Sequence, residues 1–313
     1  MRGGLRLDKK KALILVNPRS GRIVARQLAF SFGSDFQNTI YEPFIRLTTG
    51  PHDATDVAAR LADRFDLVVC RGGDGTLNET INGVLQSGAQ VPIGYIPGGT
   101  TNDFAKSNGI PLEQNAAVRL ILDGSPVPQD VGLFGESRYF CYTASFGLFT
   151  ESSYATDQRF KNRFGYAAYL AAGVRELTRI EPVKLRVDAD GETFEGEYIF
   201  GSVTNALSVG GGVLKFPRGR VRFDDGLMEL VLVKKPKNPK DFVRLFSQIQ
   251  KGVYDETYIT IRSARIFLFD FLGQSVPWSL DGEYGGETTE VAVQCIRNGI
   301  QIFKPSKPTE VTS

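Results

Sequence analysis

Apolar and polar positions follow two rhythms along the chain. In residues 1–130, short apolar runs alternate with helix-like stretches. Ala12–Val16 is a continuous apolar run, the pattern of a strand buried on both faces. The turn residues Asn17–Gly21 follow, then a helix-like stretch to about Phe32. Tyr41–Leu47 predicts a second strand. Asp53–Arg64 places Val57, Ala58 and Leu61 on one helical face. Asp66–Cys70 predicts a third strand, Leu77–Gln86 a helix, Ile93–Ile96 a fourth strand, and Glu113–Leu122 a closing helix. Strands alternating with helices imply a doubly wound parallel sheet, whose ligands bind at the C-terminal ends of the strands.

Beyond residue 130 the period shortens to two. Val183–Val187 alternates apolar and polar, and Asp188–Gly191 turns the chain into Thr193–Phe200. Arg220–Phe223, Leu227–Val233, Thr257–Ile261 and Arg265–Phe269 read as further strands. Glu290–Cys295 and Gly299–Phe303 flank Asn298-Gly299, a dipeptide that predicts a hairpin. Arg163–Arg179 and Pro239–Gln250 read as helices among them, and Lys304–Ser313 as a frayed tail. The expected fold class is α/β. It has a doubly wound nucleotide-binding domain at 1–130 and a β-rich, antiparallel, sandwich-like domain at 131–298. A strand at about 299–305 is free to return to the first.

Composition narrows the function. The 313 residues carry 37 Lys and Arg against 35 Asp and Glu. That near-neutral balance argues against a general nucleic-acid binder. His52 is the one histidine, so Ser-His-Asp catalysis and His-rich metal sites are disfavoured. Cys70, Cys141 and Cys295 have no Cys-x-x-Cys spacing and read as buried thiols of a reducing compartment. The N-terminal Met1–Lys11 has no apolar segment behind it, so no signal peptide is expected. The longest fairly apolar uncharged stretch, Gly165–Val174, is far short of the ~20 residues that span a bilayer. A cytoplasmic protein is expected.

Three glycine-bearing loops end predicted strands of the first domain. Gly72-Gly73-Asp74-Gly75-Thr76 lets the backbone approach a polyphosphate, and the helix after it offers its N-terminus to the same anion. Asp74 inside such a cradle suggests Mg²⁺, and the competing reading is a tight turn with Asp74 as a helix cap. Pro97-Gly98-Gly99-Thr100-Thr101-Asn102-Asp103 repeats the logic one strand later. Asn17-Pro18-Arg19-Ser20-Gly21 is the third loop. None is a Walker A loop or a Gly-x-Gly-x-x-Gly. In the second domain, Asp281-Gly282-Glu283 offers carboxylates for general-base chemistry, or a plain β-turn. Asp224-Asp225-Gly226 reads as a turn that could also hold Mg²⁺.

At these residues the chain resembles the diacylglycerol kinase catalytic family, and most of all its soluble bacterial, YegS-like branch. The matching segments are Val16–Gly21, Gly72–Asn78, Pro97–Ala105, Asn108–Pro111, Asp225–Leu227 and Leu280–Glu283, in family order. Gly-Gly-Asp-Gly alone is shared with NAD kinases, whereas Gly-Gly-Thr-Thr-Asn-Asp-Phe-Ala with a late Asp-Gly-Glu is far more specific. The resemblance implies an ATP- and Mg²⁺-dependent lipid kinase acting on a diacylglycerol-like hydroxyl, with its active site between the two domains. ATP would be held by Asn17, Pro18, Arg19, Ser20, Gly21, Thr48, Gly72, Gly73, Asp74, Gly75, Thr76, Leu77, Asn78, Thr100, Asn102 and Asp103. Asp281 is the preferred base, with Glu283 orienting it or holding metal. A structural Mg²⁺ would take the Asp225 carboxylate and the carbonyls of Arg222 and Leu227. Asp74, Asp103 and Asp130 would connect that ion to the nucleotide. Arg71 and Gly99 depart from the usual pattern without removing a functional group.

The lipid substrate is met at the membrane surface, no nucleic acid partner is expected, and the resemblance admits a homodimer. The basic stretch Lys234–Lys251, with Phe242, Leu245, Phe246 and Ile249 at helical spacing, is read either as an interfacial helix for anionic lipid or as an ordinary surface helix with its apolar stripe in the core. The alternatives are an NAD kinase-type phosphotransferase and a non-catalytic nucleotide or lipid sensor on the same fold.

Overall fold

A computed structural model describes residues 9–20, 36, 39–147, 181–209, 214–217 and 219–305. The helices expected at 22–32 and 163–179, Gly21, and residues 306–313 lie outside these. The chain divides into two units, one of residues 1–129 and 298–313, the other of residues 130–297.

The first unit carries β1 (Lys10–Val16), β2 (Tyr41–Leu47), α1 (Asp53–Leu61), β3 (Leu67–Gly72), α2 (Asp74–Ser87), β4 (Ile93–Pro97), α3 (Asp103–Asn108) and α4 (Gln114–Asp123). Its strands run parallel in the order β2-β1-β3-β4. Beyond β4, Ile302 of the last strand pairs parallel with Ile93. Ala12, Ile14 and Val16 meet Phe36, Val118 and Ile121 on one face of this sheet. Helices α1 and α2 pack closely, because Gly83 has no side chain; a Cβ there would sit 2.6 Å from that of Ala58.

The second unit follows within β5 (Pro126–Phe134). It continues through β6 (Arg138–Phe140), β7 (Thr143–Gly147), β8 (Val183–Ala189), β9 (Glu192–Thr204), β10 (Ser208–Val209), β11 (Leu214–Lys215) and β12 (Met228–Lys234). Then come α5 (Pro239–Lys251), β13 (Ile259–Ala264), β14 (Ile266–Asp270), β15 (Val276–Leu280), β16 (Glu283–Thr288) and β17 (Glu290–Phe303). Pairing is antiparallel through β16-β15-β7-β9-β8-β14-β17, with β12 joining β9 to β13. The main core gathers Phe146, Phe269, Phe271 and Trp278, whose rings meet edge-on or stacked at 4.9–6.0 Å.

Three expectations change, and at α5 one of two open readings fits. Arg220–Phe223 forms no strand; it is a turn, closed by the Arg220 amide donating to the Pro217 carbonyl at 3.1 Å. Asn298-Gly299 makes no hairpin. A type I′ turn needs φ > 0 at both central residues. Asn298 has φ 52°, whereas Gly299 is not among the positive-φ positions. The chain therefore bends and continues as one strand, antiparallel to β14 before the bend and parallel to β4 after it. Helix α2 begins at Asp74 rather than Leu77, which puts Gly75 and Thr76 in its first turn. On α5, Phe242 and Leu245 are buried and Ile249 packs on the same core, so the apolar stripe faces inward. Lys237, Lys240, Arg244 and Lys251 stay exposed. Among the described residues no helix is long and apolar enough to cross a membrane. The three cysteines are buried and free.

Candidate active site

In the first unit the three loops are tied to one another. The Gly98 amide donates to the Gly72 carbonyl at 2.7 Å. Gly73 and Gly99 touch backbone to backbone: a Cβ on Gly99 would lie 2.6 Å from the Gly73 Cα. Only glycine fits that approach. Asn17 Nδ2 donates to Thr76 Oγ1 at 3.0 Å, joining the first loop to the second. Arg71 Nη1 donates to the Ser20 carbonyl and hydroxyl, at 2.5 and 3.0 Å. The departure at Arg71 thus has a structural use, fixing Ser20. Burial lowers the pKa of this guanidinium.

Asp74 answers the question its motif raised. One carboxylate oxygen accepts from the Asp103 amide (2.9 Å) and the Thr101 hydroxyl (3.2 Å), and the other from the Phe104 amide (3.1 Å). It caps α3 across the loops, so its charge needs no cation to explain it. Asn102 is a staple, accepting from the Gly99 amide and donating to the Gly99 carbonyl, both at 2.9 Å. Leu77 is a core residue at 1% exposure. Thr48 is buried, its amide on the Val16 carbonyl at 2.9 Å. Asn78, half-buried on α2, accepts from Asn82. Arg19, next to Pro18, donates its amide to Asn17 Oδ1 at 2.9 Å.

What remains open to a ligand is backbone and hydroxyl. No side chain caps α2, so its first-turn amides are left for another acceptor, such as an anion. Thr100 is exposed at the tip of the facing loop. Asp103 is half-buried. Burial raises its pKa first, Asp74 adds to that, and Lys106 at 3.8 Å opposes it.

In the second unit, Asp281-Gly282 is a type I′ turn between β15 and β16, with φ 51° and 86°. Asp281 is 4% exposed. Its carboxylate accepts three backbone amides: Cys141 at 2.5 Å, Tyr142 at 2.9 Å and Thr143 at 2.9 Å. The Tyr142 hydroxyl donates to the Asp281 carbonyl at 3.0 Å. The Asp281 carboxylate oxygens are thus taken up by the backbone at the start of β7. Glu283, two residues on, is exposed, and its side chain makes no hydrogen bond or ion pair among the described residues.

The 222–227 loop closes against β5. Asp130 is fully buried; its amide donates to the Phe223 carbonyl at 2.7 Å and its carboxylate accepts the Gly226 amide at 2.6 Å. Asp225 accepts the Leu227 amide at 3.0 Å, and exposed Arg222 lies 3.9 Å from Asp224. Glu229, overlooked in the sequence, joins this acidic group. It is buried with Oε2 unpartnered, and burial, then Asp225, pushes its pKa up to about 8. A lone acid inside Met228–Val233 was the available signal. Cys295 nearby is pushed up to about 12, first by burial and then by Asp130 and Asp225.

Among the described residues no three His, Cys, Asp or Glu side chains converge as a ready-made metal site. The loop offers one carboxylate and carbonyls beside an orphaned carboxylate oxygen. Such an all-oxygen, net-negative set fits Mg²⁺, which keeps several waters.

Glycine loops tied together on a parallel sheet, followed by an antiparallel unit, are the arrangement expected of a class of kinase, and the family comparisons agree. Residues 11–134 match the diacylglycerol kinase catalytic domain. Residues 145–304 match the YegS C-terminal NAD kinase beta sandwich-like domain. The chain belongs to this family of bacterial diacylglycerol kinase-like proteins, and it is a lipid kinase.

Individual relatives are similar over almost their whole length. A diacylglycerol kinase of Bacillus subtilis (strain 168) is 33% identical over 305 residues, 96% of this chain and 98% of that protein. One from Staphylococcus carnosus (strain TM300) is 30% identical over 310 residues, 97% and 98% of the two chains. A crystal structure of a diacylglycerol kinase from Bacillus anthracis str. Sterne has a TM-score of 0.71 at 22% identity, covering 95% of this chain and 97% of that one, and so shares the fold.

Proposed function

We propose that this lipid kinase transfers the γ-phosphoryl group of ATP, with Mg²⁺, to the hydroxyl of a diacylglycerol-like lipid, giving a phosphatidate-like product. The observation that carries the nucleotide half is the glycine-on-glycine contact of Gly73 and Gly99 beside the uncapped start of α2. Phosphoryl transfer needs positioning and charge stabilisation more than covalent chemistry. First-turn amides of α2 and the Thr100 hydroxyl hold the phosphates. Arg71 and Asp74 keep the loops in register and touch no substrate. Mg²⁺, when bound through the Asp225 carboxylate and the Arg222 and Leu227 carbonyls, supplies positive charge to that acidic loop.

Glu283 is the base. It takes the lipid hydroxyl proton as that oxygen bonds the γ-phosphorus and the bond to the β–γ bridging oxygen breaks, releasing ADP. Asp281 is a positioning residue, holding the turn on which Glu283 sits. Because the acceptor is a lipid, the enzyme works peripherally at a membrane surface.

The test is transfer of labelled γ-phosphate from ATP into a panel of diacylglycerol, monoacylglycerol, phosphatidylglycerol and NAD⁺, with and without Mg²⁺. Label is expected in diacylglycerol, and only with the metal. Label in NAD⁺ alone would establish the NAD kinase-type reading instead.

A further inference from the structure

The first unit has a groove of about 630 Å³ beside the edge strand β2, lined by none of the residues given a nucleotide, metal or catalytic role. That volume is the size of a small-molecule site. Helix α1 lies along it, contributing Val57 and Leu61, while Phe44 of β2 and Phe65 meet edge-on at 5.3 Å. Phe44 is 41% exposed, although a phenyl ring at a strand edge would ordinarily be covered. Ile40 and Leu47 on the same edge are exposed as well.

The groove also carries three guanidinium groups, on Arg46, Arg60 and Arg64. All three are exposed and poorly matched among the described residues. Arg60 Nε donates to the Asp56 carbonyl of its own helix, and Arg64 has only its neighbour Asp63, at 3.9 Å. Arg46 makes no hydrogen bond or ion pair there. Asp53, the acid with electrostatic reach to Arg46 and Arg60, has one oxygen committed to the amide and hydroxyl of Thr49. Glu42 is the remaining acid on the strand.

Apolar walls suit an acyl chain, and three planar cations suit a phosphate or carboxylate head group. Neither half alone uses the whole groove. We infer that this groove binds one anionic acyl lipid, through residues other than those given a catalytic or nucleotide role. Such a lipid would tether the enzyme where its substrate resides.

The test uses dodecyl phosphate below its micelle concentration; the probe has no alcohol hydroxyl to accept phosphate, and its binding is read without turnover. In a full-length Phe44→Trp chain, a saturable blue shift of tryptophan emission is expected. Adding Arg46→Gln, Arg60→Gln and Arg64→Gln should weaken the affinity at least tenfold while the melting temperature stays within a few degrees. Dodecanol alone and inorganic phosphate alone should give no saturable shift. In the unsubstituted chain, hydrogen exchange should show protection of peptides spanning 40–47 and 57–65. Unchanged affinity in the arginine variant, a full shift with dodecanol or phosphate alone, or no protection of those peptides would overturn the inference. None of these outcomes depends on whether the chain phosphorylates diacylglycerol.

Discussion

The glycine loops of the first unit and the Asp-Gly-Glu hairpin of the second each display a conspicuous aspartate, Asp74 and Asp281. Both look like chemistry in the sequence. In both regions the aspartate is a latch. Asp74 gathers two amides and a hydroxyl of the facing loop, and Asp281 gathers three amides at the start of β7. The difference lies in what each latch leaves free. In the first region it presents backbone amides and Thr100, groups suited to phosphate oxygens. In the second it presents Glu283, a carboxylate suited to a proton.

An effect on both stability and nucleotide affinity, which could break this contrast, is expected at Gly99. Gly99→Ala places a methyl 2.6 Å from the Gly73 Cα. It should cost about 1–3 kcal/mol of stability and lower the affinity for a non-hydrolysable ATP analogue at least tenfold, measured by titration calorimetry. Undiminished affinity would mean that the loops need not touch.

The two latches sharpen the contrast next. Asp281→Asn removes the charge from a buried acceptor of three amides and should destabilise by about 2–4 kcal/mol. Asp74→Asn removes a partly exposed cap and should cost about 0.5–2 kcal/mol. Urea unfolding of the pair reads both, and equal losses would erase the distinction in burial.

The smallest effect is at Glu113, the side-chain N-cap of α4, which accepts the Asn115 and Ala116 amides at 2.9 and 2.7 Å. Those bonds hold its pKa below the ordinary glutamate value. Stability from a lowered carboxylate pKa is present above the unfolded value and is lost as pH falls through the folded one. The parent should therefore melt slightly above Glu113→Gln at pH 7, the gap closing on acidification. A gap that widened in acid would contradict the cap.

Local pattern made much of the fold legible. Tyr41–Leu47 is a strand with those bounds, and the parallel series through β4 follows its apolar runs. Legibility ended where long-range partners decide. Asn298-Gly299 looks like a hairpin, but its second residue keeps ordinary φ and the strand continues towards a partner at Ile93. Pro239–Lys251 announced an apolar stripe without saying that a sheet covers it. At the site, the motif residues were visible but their roles were not. The groups that occupy Asp281 are backbone amides of Cys141, Tyr142 and Thr143, which no side-chain pattern reveals. Arg71 looked like a departure because its partner, Ser20, is 51 residues away.

The account rests most directly on the division of labour between Asp281 and Glu283. The deciding measurement is labelled phosphate transfer from ATP to diacylglycerol by Glu283→Gln beside its melting temperature. The account predicts a parent-like melting temperature with turnover reduced at least a hundredfold, as loss of a general base requires. Parent-like turnover in that variant would contradict it.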